Sequence, residues 1–172
     1  MSALEGKVAL VTGGSRGIGA AIALRLARDG AAVAFTYVSA ADKAEAVAKQ
    51  IDAAGGRALV IQADSADPDA VSRAVEQTVR ELGRIDILVN NAGIFAAEPF
   101  GEITAEQADR LWAVNVRAAF TAAQAAARHM TGGGRIISIG SALAERVPVP
   151  GLTLYATSKA ALTGLTLSLI HI

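Results

Sequence analysis

The sequence of 172 residues contains no cysteine. This absence excludes disulfides, a thiol nucleophile and a cysteine metal site, and it fits a cytosolic protein. There is no apolar run of about eighteen residues and no basic-then-apolar leader, so we expect neither a membrane span nor a signal peptide. We also expect no metal site, and we assign the protein to the cytoplasm.

A charge excess of either sign is also lacking, because 16 basic residues balance 16 acidic ones and no long basic run occurs. Nothing therefore supports nucleic acid or an anionic membrane as a partner. Charged residues make up only 19% of the chain and hydrophobic residues 52%. This composition excludes disorder and suits a buried parallel sheet between helices. The length predicts one domain over residues 1–172.

Short apolar runs alternate with helical patterns along the chain. The predicted strands are residues 7–12, 32–37, 57–63, 85–89 and 135–140. Their order indicates the α/β class with a doubly wound parallel sheet, in which ligands bind at the carboxyl ends of the strands. We predict helix N-caps at Ser39, at Asp67 before Pro68, and at Thr104 with Gln107 in a capping box.

A glycine-rich turn, T-G-G-S-R-G-I-G at residues 12–19, joins the first predicted strand to the first helix. In such a turn, backbone N–H groups can approach a phosphate, and the helix N-terminus adds favourable partial charge. Gly17 and Gly19 would allow close approach and tight packing. A mere tight turn is the alternative, but the position directly after the first strand favours phosphate binding.

Other polar residues at the strand ends also point to a dinucleotide. The second strand ends in Thr36 and Tyr37 where a ribose-binding carboxylate is typical, and Arg16 lies in the glycine-rich turn. Both features favour NADP(H) over NAD(H), although Arg16 could simply be solvated. Asp64 could reach an adenine or cap the next helix. The segment 90–93, Asn-Asn-Ala-Gly, would let a ligand lie close to the backbone or would be an ordinary polar turn.

Lys159 follows Tyr155 by four positions, which places both side chains on one face of a helix. A phenol has an unperturbed pKa of about 10, and a fixed ammonium nearby favours the phenolate. The pair could therefore exchange a proton with a carbonyl or alcohol oxygen. A solvated helix face is the alternative. Asn115 lies among apolar neighbours in a long predicted helix, where its amide must find partners.

In this order and spacing, these residues resemble the short-chain dehydrogenase/reductases over residues 4–166. The resemblance rests on residues 12–19, N-N-A-G at 90–93, Asn115, Ser141 and Y-A-T-S-K at 155–159. It implies a Rossmann-type fold, a nicotinamide cofactor and a small carbonyl or alcohol substrate. It also implies a homo-oligomer.

The resemblance implies a role for each matching residue. Tyr155 would be the general acid/base, Ser141 would orient the substrate oxygen, and Lys159 would assist Tyr155 and hold the nicotinamide ribose. Asn115 would support a proton relay to Lys159. The implied cofactor-binding residues are Gly13, Ser15, Gly17, Ile18 and Gly19 at the pyrophosphate, Arg16 near the 2′-phosphate, Asp64 at the adenine, Asn91, Ala92 and Gly93 at the central part, and Tyr155 and Lys159 at the nicotinamide end.

The end of the chain departs from this family, whose members continue to later strands and a substrate lid. Residues 167–172, Leu-Ser-Leu-Ile-His-Ile, can be back-translated as a transposon-end adapter, so we expect a foreign tail and a C-terminally truncated domain. The fifth strand would then be a sheet edge.

Three hypotheses follow. The longer parent protein would be an NADP(H)-dependent oxidoreductase that interconverts a carbonyl and a secondary alcohol, which its Ser141, Tyr155 and Lys159 favour. A non-catalytic dinucleotide-binding protein on the same fold is the second hypothesis. The third is that the 172-residue chain itself is inactive. The sequence does not identify the substrate.

Overall fold

Five parallel strands form one sheet in the computed structural model, which describes residues 2–171. The strands are Val8–Val11 (β1), Ala32–Tyr37 (β2), Arg57–Gln62 (β3), Ile87–Asn90 (β4) and Arg135–Ser138 (β5). Their order in the sheet is β3-β2-β1-β4-β5, and every neighbouring pair is parallel. The strand order reverses beside β1, which confirms the predicted doubly wound, Rossmann-type α/β fold.

Helices connect the strands: Gly17–Arg28 (α1), Ala41–Ala53 (α2), Pro68–Leu82 (α3), Ala105–Trp112 (α4), Ala118–Ala127 (α5) and Thr153–Ser168 (α6). A π-helical turn, Ala113–Arg117, joins α4 to α5. Short 3₁₀ turns occupy Phe100–Glu102, Ala142–Ala144 and Leu169–His171.

The central strands are buried on both faces, because the sheet lies between two layers of helices. Leu10 and Leu88 pack on one face against residues of α3 and α5. Val11, Phe35 and Val89 pack on the other face with residues of α1 and α2. This burial explains why the strands are continuous apolar runs rather than alternating patterns.

Two of the predicted helix caps are confirmed and one is wrong. The Asp67 side chain accepts a hydrogen bond from the Asp69 N–H at the start of α3. Thr104 and Gln107 form the predicted capping box at α4. Helix α2 instead has Ala40 at its N-cap and no side-chain cap. Because this helix begins at Ala41, Ser39 comes one residue too early to cap it.

Some strand boundaries also differ from the prediction. Strand β3 ends at Gln62 rather than at residue 63, β4 spans Ile87–Asn90 rather than 85–89, and β5 ends at Ser138 rather than at residue 140. A strand extends only as far as its neighbour pairs with it. Asn90, the last residue of β4, is in register with Ser138, the last residue of β5.

Strand β5 lies at the edge of the sheet, as the sequence predicts. Met1 and Ile172, the ends of the predicted domain and of its expected foreign tail, lie outside the described residues. Between residues 2 and 171, no helix is long and apolar enough to cross a membrane. That same part of the chain contains no group of His, Cys, Asp and Glu side chains arranged to hold a metal ion.

Asp86 joins β1 and β4 at the end of the sheet opposite the predicted site. Its carboxylate accepts hydrogen bonds from the Val8 N–H at 3.0 Å and from the Arg84 guanidinium at 2.7 and 2.8 Å, and Lys7 lies 3.4 Å away. Burial raises the pKa of the Asp86 carboxyl, but the hydrogen bonds from Arg84 and Val8 and the two positive charges outweigh burial and lower that pKa below its usual range.

We predict that Asp86→Ala lowers the free energy of unfolding by about 1–3 kcal/mol, because the buried Val8 N–H loses its acceptor. The pKa of Asp86 is lower in the folded state, so its stabilisation is present above the unfolded pKa of about 3.9 and is lost as the pH falls below it. Urea denaturation should therefore show a difference at pH 7 that shrinks toward pH 3. The exposed Glu45→Ala is the control, with an expected change below about 0.5 kcal/mol. An Asp86→Ala difference independent of pH would contradict this account.

Candidate active site

The glycine-rich turn between β1 and α1 packs tightly against the segment that follows β4. Gly13 and Gly17 have positive φ angles of 68° and 55°, which favour glycine. A Cβ atom at Gly19 would collide with the Gly13 carbonyl and the Asn91 side chain. The Asn91 amide donates to the carbonyls of Thr12 at 2.8 Å and Gly13 at 3.0 Å. The turn is therefore fixed in shape before any ligand binds.

Thr12 and Thr36 complete this framework. The Thr12 hydroxyl accepts hydrogen bonds from the N–H groups of Asn91 and Ala92, both at 3.0 Å. The Thr36 hydroxyl accepts from the Gly13 N–H at 2.9 Å. Thr36, where dinucleotide-binding proteins often carry a carboxylate, is thus buried and engaged with the turn itself.

A groove of about 530 Å³ runs along the carboxyl ends of the strands. Ten predicted cofactor-binding residues line it: Gly13, Ser15, Arg16, Gly17, Ile18, Gly19, Asp64, Asn91, Ala92 and Gly93. Its lining includes small residues, and Arg16, Lys43 and Arg110 supply positive charge. These features fit a dinucleotide with an additional phosphate.

The other two predicted cofactor contacts, Tyr155 and Lys159, are not lining residues of this groove. Lys159 instead lines a neighbouring cavity of about 280 Å³ together with Ser138 and Ser141. Gly93 links the two spaces, because a Cβ atom there would lie 3.5 Å from the Lys159 Nζ and 3.4 Å from the Asn115 Oδ1. The groove therefore extends to two of the predicted catalytic residues, Lys159 and Asn115.

Asn115 lies in the π-helical turn between α4 and α5 and is only 1% exposed. Its Oδ1 accepts from the Ile94 N–H at 2.8 Å, and its Nδ2 donates to the Ile94 carbonyl at 3.0 Å and to the Ser158 Oγ at 3.0 Å. Ser158 in turn donates to the Tyr155 carbonyl at 2.7 Å. The predicted need for partners is met, and a single amide joins three segments of the site.

Lys159 is buried on α6, with 6% of its surface exposed. Its Nζ donates to the Ile139 carbonyl at 2.7 Å and lies 5.9 Å from the centre of the Tyr155 ring. Burial lowers the pKa of the Lys159 ammonium. Lys159 and Tyr155 therefore lie close together on α6, as the sequence predicts. The Lys159 side chain is also hydrogen-bonded to the segment that follows β5.

Ser141 is the N-cap of the 3₁₀ turn after β5, and its Oγ accepts a hydrogen bond from the Leu143 N–H at 3.1 Å. Asp64 lines the groove, where its two oxygens have different partners. One accepts from the Ala66 N–H at 2.8 Å, and the other lies 3.5 Å from the Arg110 guanidinium. Asp64 thus forms a local turn and lines the groove at the same time.

Several groove residues were missed by sequence reasoning, namely Ser39, Lys43 and Arg110. Phe95, whose ring packs edge-on against Tyr155, was also missed. The sequence did contain a signal for Lys43. This cation lies in the first turn of α2, where the helix dipole favours anions, and such an unfavourable position is consistent with a role in binding an anion. Phe95 carried no such signal, because nothing in the sequence places it beside Tyr155.

Comparison with known proteins gives the same family. Residues 7–171 match the short chain dehydrogenase family. A short chain dehydrogenase from Burkholderia cenocepacia J2315, solved in complex with NADP, is 60% identical with a TM-score of 0.95, covering 96% of this chain and 68% of that one. A blue fluorescent protein from a metagenomic library, solved with NADPH, is 60% identical with a TM-score of 0.92, covering 94% and 66%.

Among curated relatives, the hydroxynaphthalene reductase arp2 of Aspergillus fumigatus is 45% identical over 163 residues, which are 95% of this chain and 59% of the relative. Three of the curated relatives that the chain matches are longer than it, and the chain spans 59%, 62% and 66% of their lengths.

We predict that Asn115→Ala lowers the free energy of unfolding by about 1–3 kcal/mol, because the backbone groups of Ile94 lose their partners. Ser158→Ala is the matched variant, since it removes only one of the three Asn115 contacts. Hydrogen exchange should show that the Ile94 amide exchanges faster in Asn115→Ala and stays protected in Ser158→Ala. Equal exchange of this amide in the two variants would contradict the role given to Asn115.

Proposed function

Because the chain belongs to the short-chain dehydrogenase/reductase family, we propose that it is the larger part of an NADP(H)-dependent oxidoreductase that interconverts a carbonyl and a secondary alcohol. The main observation behind this proposal is that the buried Lys159 lies beside Tyr155, at the end of a groove suited to binding phosphate groups. A protein that only binds dinucleotides would have no need of this pair. NADP(H) would supply or accept the hydride when bound.

Tyr155 would transfer the proton to or from the substrate oxygen. The Lys159 ammonium would stabilise the negative charge that develops on the phenol oxygen. The hydrogen bond from the Lys159 Nζ to the Ile139 carbonyl holds this ammonium in place. Ser141 would hold the substrate oxygen, which its place in the same cavity as Lys159 supports. Asn115 would hold α6 and the segment after β4 at fixed positions relative to each other near Lys159.

The groove residues would hold the cofactor. The N–H groups at the start of α1 would meet the pyrophosphate, and the Gly93 segment would lie along the part nearest Lys159. Arg16 would pair with the 2′-phosphate, with Asp64 at the adenine. Structures of similar proteins that hold NADP and NADPH support this preference.

We assign the activity to an extended protein, defined as residues 1–166 followed by the sequence that the source genome encodes after codon 166. The 172-residue chain alone would not turn over substrate. Ile137 on the edge strand β5 is 46% exposed, and an exposed apolar sheet edge favours aggregation, which would compete with folding of this chain to an active state. A homo-oligomer and a cytoplasmic location stay predictions.

Tyr155→Phe in the extended protein should lower turnover of NADPH with a ketone about 10²–10⁴-fold, because the proton donor is removed. The affinity for NADPH, measured by fluorescence titration, should change little. Near-full activity of this variant would show that Tyr155 is not the acid/base. Turnover by the 172-residue chain would contradict the assignment of activity to the extended protein.

Arg16→Ala should weaken NADPH binding by about 10-fold or more and NADH binding far less, since only NADPH loses a charge-assisted phosphate contact. Arg28→Ala, at the other end of α1, is the matched control and should alter neither affinity. Titration of both dinucleotides measures the effect. Equal weakening of NADPH and NADH in Arg16→Ala would exclude a 2′-phosphate contact.

A further inference from the structure

The carboxylate of Asp64 is held by two different segments of the chain. Asp64 follows β3, the edge strand opposite β5, and lines the groove. One of its oxygens accepts a hydrogen bond from the Ala66 N–H at 2.8 Å, and the other lies 3.5 Å from the Arg110 Nη1 on α4. The orientation of the carboxylate is therefore restrained both by its own turn and by a helix far along the chain.

Arg110 contacts Asp64 within the groove. Arg110 and Val114, four residues apart, both line the groove, so this face of the helix is part of the ligand-binding wall. The Asp64 and Arg110 side chains are 39% and 54% exposed, and an ion pair that water reaches adds little to the stability of a fold. The place of this pair suits a role in ligand binding rather than in folding.

A carboxylate at this place can distinguish between purines. Its two oxygens have about four acceptor sites, and the contacts with Ala66 and Arg110 use two of them. The 6-amino group of adenine is a donor and can fill a remaining site, whereas a 6-oxo group is an acceptor and finds no donor there. Because hydrogen bonds weaken steeply when they are misaligned, the discrimination depends on how the carboxylate is oriented.

We propose that Arg110 is a positioning residue that orients the Asp64 carboxylate and thereby makes the groove selective for a 6-aminopurine dinucleotide over a 6-oxopurine one. Arg110 acts through Asp64 and needs no contact with the purine. This inference rests on the proposed function, which places the adenine at Asp64.

Two other roles for Arg110 predict different results. A guanidinium stacked on the purine face would attract adenine and hypoxanthine alike, because every base has a π-face. A guanidinium paired with a phosphate would also favour both dinucleotides equally, because they carry the same phosphates. Only an effect on the Asp64 carboxylate makes the ratio of the two affinities depend on Arg110.

The test measures the dissociation constants of NADP⁺ and of nicotinamide hypoxanthine dinucleotide phosphate by calorimetric titration of the extended protein. The unmodified protein should bind NADP⁺ about 10-fold or more tightly than the analogue, the effect of a hydrogen bond to a charged group. Arg110→Ala should lower this preference about 2- to 5-fold, the range of an exposed ion pair. Arg110→Lys, which keeps the charge, should restore it. The difference between Arg110→Ala and the unmodified protein should shrink at about 1 M salt, which screens the pair.

Arg117→Ala is the matched control. The Arg117 guanidinium donates to the Ala66 carbonyl at 3.0 Å, so it holds the same loop through its backbone. We expect this variant to keep the preference for NADP⁺. Asp64→Ala should remove the preference by itself, and adding Arg110→Ala should then change the ratio no further. An unchanged ratio in Arg110→Ala, an equal fall in Arg117→Ala, or a further fall in the double variant would overturn the proposal.

The titrations require no turnover, so they separate a failure of this inference from a failure of the proposed function. If the extended protein oxidises NADPH with none of a panel of ketones, the proposed function is wrong, and the ratio of the two affinities still decides the role of Arg110. Equal affinities of the unmodified protein for the two dinucleotides would overturn this inference, even where ketone-dependent oxidation of NADPH is observed.

Discussion

The site depends on one buried amide, the side chain of Asn115. A buried polar group needs hydrogen-bond partners. The Asn115 amide is hydrogen-bonded to both backbone groups of Ile94 and to the hydroxyl of Ser158. Asn115 lies in the π turn that joins α4 to α5. The segment after β4 and the helix α6 are therefore held at fixed positions relative to each other, which sets the distance between the groove and Tyr155.

A second constraint acts at the other end of the groove, where the absence of a side chain at a glycine matters more than hydrogen bonding. Gly19 has no room for a side chain against Gly13 and Asn91. The N-terminus of α1, Gly17–Gly19, thereby lines the groove, and the first N–H groups of a helix have no partner within that helix. Asn91 completes this contact and neighbours the segment that Asn115 anchors. The phosphate-binding end and the catalytic end are thus connected through the short segment after β4.

The fold could be predicted from the sequence because continuous apolar runs, glycine turns and helix caps agree with one another along the chain. The groove residues could be predicted because ligands in such sheets bind where strands end. Other features could not. Ser39 has a good capping side chain, but α2 begins too late for it. The π turn, the link through Ser158 and the contact of Phe95 with Tyr155 join residues far apart in the chain, and no local pattern encodes them.

The central claim is that the groove and the Tyr155–Lys159 pair form one site. A crystal structure of the extended protein grown with NADP⁺ tests it most directly. The account predicts the pyrophosphate against the turn of residues 13–19, the 2′-phosphate beside Arg16, and the nicotinamide end beside Lys159 and Tyr155. A dinucleotide bound with its nicotinamide away from Tyr155, or bound outside the groove, would contradict the account.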